Sequence, residues 1–130
     1  MKFGYTIVYV PDVAASLGFF ATAFGLKRKF LHESGTYGEL DTGETTLAFA
    51  AHELADTNFQ SGHIAAHDSA KPLGIEIGLV TNDVANAHTR ALRAGAVELA
   101  APKAKPWGQV VSYVRCPDGT LVELCTPIGG

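Results

Sequence analysis

Apolar and polar positions run through the same order twice in this chain. Residues 5–30 read YTIVYVPDVAASLGFFATAFGLKRKF, and residues 75–99 read IEIGLVTNDVANAHTRALRAGAVEL. Each stretch opens with an apolar run, reaches an Asp where a helix would start, and passes through an Ala-rich helical segment. A Gly and a return to strand-like sequence follow. Asp12 and Asp83 stand 71 positions apart, Gly25 and Gly95 70 positions apart. Self-similarity of this length marks two supersecondary units stacked on one another.

The elements follow from local chemistry. Residues 3–10 are rich in β-branched and aromatic side chains and short enough for a strand. Asp12 can accept from the free N–H groups of a first helical turn. Leu17, Phe20 and Phe24 recur at helical spacing, and Gly25 supplies a left-handed stop. Residues 26–32 read as a second strand, and 36–41 with 45–52 as a hairpin around Thr42-Gly43-Glu44. Residues 53–73 lack periodicity and read as the connection between units. They are long for a structureless loop, which argues for a helical turn or a flap within them.

The second unit repeats the plan. A strand over 74–80 leads to a helix capped by Asn82-Asp83, with Val84, His88, Ala91 and Leu92 as its buried stripe. A short strand over 97–100 follows. Segments 107–115 and 120–126 then pair across Pro117-Asp118-Gly119-Thr120. The expected fold class is α+β: a single domain of two βαβββ modules, about 1–52 and 74–130, in one curved mixed sheet with helices on the convex face.

Strand alternation assigns faces. Thr6, Val8 and Val10 would face the helix and leave Tyr5, Ile7 and Tyr9 opposite. Ile75, Ile77 and Leu79 form an apolar set, leaving Glu76, Gly78 and Val80. Val122 and Leu124 oppose Leu121, Glu123 and Cys125. The faces turned from the helices thus carry Tyr5, Tyr9, Thr46, His52, Glu76 and Glu123.

Composition narrows the function. The 130 residues suffice for one domain with a real core, and 47% are hydrophobic. A net charge of −3 leaves no basic footprint, so nucleic acid and anionic membranes are not expected partners. No apolar run approaches the ~18 residues of a membrane span. The N-terminus is too strand-like for a signal peptide, so a cytoplasmic location is expected. Cys116 and Cys125 flank the last turn asymmetrically, so they are expected to be free, buried thiols. His63 and His67 lie four apart without the acidic companion of a metalloprotease motif and read as polar loop. His88 reads as a partly buried helix residue. Lys27, Arg28, Lys29, Arg90 and Arg93 read as solvated surface.

The repeat, the Gly-Leu after the first helix, Lys105-Pro-Trp-Gly-Gln109, and Pro117-Asp-Gly-Thr-Leu-Val-Glu-Leu124 together resemble the vicinal oxygen chelate superfamily over nearly the whole chain. That group includes glyoxalase I, extradiol dioxygenases, fosfomycin-resistance transferases and bleomycin-resistance proteins. The resemblance implies a cleft binding a small molecule, and a homodimer. In metal-dependent members four cleft positions carry His or Glu, and these map to Tyr5, Ala48, Glu76 and Glu123. Glu123 keeps the usual residue. Glu76 and Tyr5 stand where His is common, and Ala48 has no donor. Catalytic metals of this kind need about three protein ligands of mixed character. His52 lies about 13 Å along the strand from Ala48.

No cofactor is therefore expected, with Glu76 and Glu123 the weak candidates for a divalent metal. If these two glutamates face each other in a partly dry cleft, one pKa should rise. Such a pair can hold a proton, act as a base or bind a cation. Tyr5, Tyr9, Thr46 and His52 would complete a ligand surface. Trp107 would either stack on a ligand or anchor its loop. Gln109 would bond a ligand or stand as an exposed strand-end amide. The expected function is metal-free small-molecule binding of bleomycin-resistance type. The alternative is a metal-dependent lyase or dioxygenase-type enzyme performing glyoxalase-like proton transfer, with Glu123 as base or ligand and Glu76 its partner.

Overall fold

In a computed structural model, which describes residues 1–129, the order is β1 (Tyr5–Val10), α1 (Val13–Phe24), β2 (Lys27–Leu31), β3 (Tyr37–Asp41) and β4 (Thr46–Ala51). Next come α2 (His52–Asn58), a single 3-10 turn (Ala66–Asp68), β5 (Glu76–Val80) and α3 (Val84–Ala94). The chain ends with β6 (Val97–Ala104), β7 (Val110–Arg115) and β8 (Leu121–Cys125). Each module is a four-stranded mixed sheet, ordered β1-β4-β3-β2 and β5-β8-β7-β6. The first and last strands of each module run parallel, and the remaining neighbours antiparallel.

The two modules are as expected, but their hydrogen bonding is not continuous. No ladder joins β1 to β5 among the described residues, so there are two sheets rather than one. The modules are joined through side chains instead. Helices α1 and α3 pack against each other. Arg90 of α3 donates to the Thr22 carbonyl near the end of α1 at 2.8 Å, a favourable place for a cation. Ser16 of α1 donates to Asp118 in the β7–β8 turn at 2.7 Å, a buried bond between modules.

Both helices start at the anticipated Asp. Asp12 accepts from Ala15 N–H and Asp83 from Asn86 N–H. The predicted stripe of α1 is largely realised: Leu17 and Phe20 are fully buried, and Phe20 meets Phe49 of β4 at 4.9 Å between ring centroids. Full burial of each such side chain contributes roughly 1.5–3 kcal/mol. Gly38 of β3 is needed for this packing, because a Cβ there would lie 2.6 Å from Leu17 Cδ1. In α3, Val84, His88 and Ala91 are buried. His88 is satisfied by Ser112 Oγ at 2.9 Å and Glu98 Oε2 at 2.7 Å.

The connection holds helical structure as expected, while three boundaries depart from the sequence reading: α2 already starts at His52, β6 is longer and β7 shorter. The connection contains α2 and the 3-10 turn. It is anchored by Arg115, which donates to the carbonyls of Ala66 at 2.8 Å and Ser69 at 2.9 Å. β6 extends to Ala104 through two register shifts against β7, because cross-strand pairing overrides the weak strand propensity of its Ala, Pro and Lys residues. β7 starts at Val110, not Trp107. Lys105 N–H bonds Gln109 O at 2.8 Å and Gly108 N–H bonds Lys105 O at 2.9 Å, making Trp107 part of a turn. Cys116 and Cys125 are free and buried, as anticipated.

Candidate functional site

The ladders determine which side chains meet. In the second module Gly78 is paired with Glu123, and Glu76 with Leu121. Glu76 is thus the diagonal neighbour of Glu123 on the same face. Gly78, directly opposite Glu123, has no side chain to intervene. The Glu76 and Glu123 carboxyls come within hydrogen-bonding reach of each other. On the other side β7 pairs Tyr113 with Glu123, and the Tyr113 hydroxyl donates to Glu123 Oε1 at 2.5 Å.

The electrostatics follow from this cluster. The Glu76 pKa is raised above its ordinary 4.5, first by partial desolvation, then by the charge of Glu123 and the hydrogen bond between them. Two carboxyls can share a hydrogen bond only when one is protonated, so the pairing favours the protonated form of Glu76. Tyr113 is pushed up to about 12, first because its hydroxyl already donates to Glu123 and then by desolvation. Cys125 is also raised, by desolvation and then by Glu123. Such a group can bind a cation by releasing its proton, or accept a proton from an acidic C–H or N–H.

The first module carries the same geometry with different residues. By register, Tyr5 takes the place of Glu76, Ile7 that of Gly78, Ala48 that of Glu123, and Glu39 that of Tyr113. The carboxylate has moved one strand across. Glu39 of β3 pairs with the fully buried Ala48, and accepts from Tyr37 Oη at 2.7 Å. Lys29 Nζ lies 3.8 Å from its other oxygen. Burial and then the bond to Glu39 raise the Tyr37 pKa. Tyr37, Glu39 and Tyr113 were not singled out in the sequence. The signal was there: once the two hairpin turns are recognised, 39 falls opposite 48 and 113 opposite 123.

The remaining predicted residues do not join the Glu76–Glu123 group. Tyr5 is exposed, pairs with Thr46, and belongs to the other sheet from Glu76. Tyr9 packs against His63, with ring centroids 5.2 Å apart. His52 is not on the strand with Ala48, because the chain turns into α2 there. Its Nδ1 lies 2.8 Å from His63 Nε2, and His67 is close by at 5.3 Å between centroids. Desolvation, then the two neighbouring imidazoles, lower the His52 pKa. Its Nε2 is buried without a partner. An unbonded lone pair there costs less than an unbonded N–H, which places the proton on Nδ1, donating to His63.

Gln109 is buried rather than exposed. It donates to the Thr126 carbonyl at 2.8 Å and accepts from Trp107 Nε1 at 2.9 Å. It clamps the β6–β7 turn to the end of β8 because both its amide groups find partners there. Trp107 keeps an exposed ring beside this clamp.

The metal expected in many relatives does not fit this donor set. Ala48 offers no donor atom, Tyr5 sits on the other sheet from Glu76, and Glu123 is already engaged by the Tyr113 hydroxyl. Two carboxylates with a phenol lack the imidazole character of such centres.

The sequence profile of the Glyoxalase/Bleomycin resistance protein/Dioxygenase superfamily matches residues 2–124, and the chain belongs to that superfamily. No curated protein matches the sequence. Among solved structures, a glyoxalase-related enzyme from Fulvimarina pelagi superimposes with a TM-score of 0.81 at 19% identity, covering 98% of this chain and 88% of its own. A glyoxalase/bleomycin resistance protein/dioxygenase family enzyme from Burkholderia phytofirmans gives 0.74 at 20% identity, covering 97% and 98%. A protein of unknown function from Agrobacterium tumefaciens gives 0.77 at 23% identity, covering 98% and 94%. At these identities the likeness is one of fold. Among the described residues no helix is long and apolar enough to cross a membrane.

Proposed function

We propose that this chain binds a small, amine-bearing aromatic molecule at Glu76, Glu123 and Tyr113, without the superfamily's metal. One observation carries the reading: Glu76 and Glu123 lie diagonally on one sheet face, with Tyr113 donating to Glu123 and with Glu76 holding its proton more readily than a free carboxyl. An ammonium group arriving there would displace that proton and leave both carboxylates charged, which compensates the cation in one step. The Tyr113 ring beside the pair favours an aromatic ligand.

Calorimetry with benzylamine, in buffers of differing ionisation enthalpy, tests this. The expected result is saturable binding with net proton release, lost in Glu123→Gln. A tight stoichiometric site for Ni²⁺, Zn²⁺, Mn²⁺ or Fe²⁺ that disappears in the same variant would overturn the metal-free reading and favour the lyase or dioxygenase alternative. A homodimer belongs to the same proposal. β1 and β5 each end a sheet, and exposed Phe3, Tyr5 and Val80 lie along those edges. Sedimentation at twice the 13.7 kDa chain mass supports it, and sedimentation at the single mass refutes it.

A further inference from the structure

A cavity of about 240 Å³ lies apart from the Glu76–Glu123–Tyr113 group, between β1, the start of β5, the start of β8 and the connection. Ile7, Ile64 and Ile77 give it apolar walls, and Tyr9 and His63 stand at one side. Among the described residues no Lys, Arg, Asp or Glu lines it. Thr120 also lines it, is 7% exposed, and its Oγ1 has no hydrogen-bond partner.

The roof over this cavity is held at both ends. Arg115 ties Ala66 and Ser69 to β7. Gly119 packs so closely on the Ala66 carbonyl that a Cβ would lie 2.3 Å from it. Towards the other end His63 is bonded to His52. A half-open cavity backed by pinned backbone exists before any ligand arrives, so binding costs little ordering.

Volume and chemistry narrow the occupant. An apolar cavity of about 150 Å³ stays dry and admits benzene. This one holds a single ring with one or two small substituents, and falls short of the ~300 Å³ at which drug-sized sites begin. The lack of ionic side chains disfavours a charged ligand. Of the hydroxyls that line it, on Thr6, Tyr9 and Thr120, the Thr120 one is buried and unpartnered, which calls for one oxygen on an otherwise apolar molecule.

We propose that this cavity is a second binding site, for a neutral monocyclic aromatic carrying one hydroxyl. The hydroxyl pairs with Thr120 Oγ1, after rotation about the Thr120 Cα–Cβ bond, and the ring lies between Ile7 and Ile77. The site is independent of the carboxylate pair.

Phenol and toluene are the probes, followed by ¹H–¹⁵N NMR of the whole chain. Phenol is expected to shift the amides of Ile7, Tyr9, Ile77 and Leu121 saturably, and to bind about tenfold more tightly than toluene. Thr120→Val keeps the shape and removes the oxygen, so the two probes should then bind alike. Leu73→Trp, which fills the cavity, should abolish both. Each variant's spectrum reports its own folding. The proposal is overturned if neither probe saturates these amides, if the shifts centre on Glu123 instead, or if the phenol preference survives Thr120→Val.

Discussion

Glu76 and Glu123 lie diagonally across the β5–β8 ladder, with Gly78 directly opposite Glu123. The first module shows the alternative: Ile7 occupies the matching place, and its carboxylate, Glu39, sits on β3.

The raised Glu76 pKa should be visible by titration. In ¹³C-detected NMR the Glu76 midpoint should lie above 4.5 in the wild type and fall back towards it in Glu123→Gln. In the same variant the Tyr113 phenol should ionise nearer 10 than 12 by ultraviolet titration. A Glu76 midpoint already at the ordinary value would show that the carboxyls do not share a proton.

The pair also sets a pH dependence of stability. The folded chain binds the Glu76 proton more tightly than the unfolded chain. Stability from this group is therefore complete below 4.5 and declines as pH rises through the raised value. Glu76→Gln should match the wild type in acid and exceed it slightly at neutral pH, within the ~0.5 kcal/mol usual for exposed positions. Urea melts at the two pH values measure it, and a variant less stable at neutral pH would contradict it.

His52 acts in the opposite sense. Its lowered pKa means that the unfolded chain binds the proton more readily. Its contribution is present above 6.5 and is lost as pH falls from there towards the lowered value. The charges of His63, His67, Asp56 and Asp68 all act on the same ring. The comparison with His52→Asn isolates its share: the thermal midpoint of the variant should decline less between neutral pH and pH 5.5 than that of the wild type.

Gly119 has φ near +91° and no room for a Cβ against Ala66. Gly119→Ala should destabilise the chain by at least about 1–3 kcal/mol, the scale of a backbone held in a sparsely populated conformation. It should also loosen the connection, and faster amide exchange around Ala66–Ser69 would report that loss. Stability within error of the wild type would show that the turn and the strap readjust cheaply.

Much of the scaffold was legible in the sequence. The Asp caps, the apolar stripe of α1 and the Pro117-Asp118-Gly119 turn are local signals. They read correctly because the interactions behind them span only a few residues. The duplicated pattern pointed to two modules for the same reason. Glu76 and Glu123 could be assigned to one face by alternation alone. Their meeting was less certain, because it depends on the parallel register of β5 against β8, strands separated by some forty residues of chain.

What tertiary structure alone decided lies in those long-range pairings. Trp107 and Gln109 became a clamp on Thr126 because β6 and β7 pair beyond the predicted strand end. His52 left the expected strand face because the chain turns into α2, where it meets His63. The cavity beneath the connection exists because Arg115 and Gly119 hold that segment against the second module. Local sequence determined the elements and the sides of each strand. Contacts between residues far apart in the chain determined which of those sides come together, and which line a cavity, because register and loop docking are set by packing rather than by local propensity.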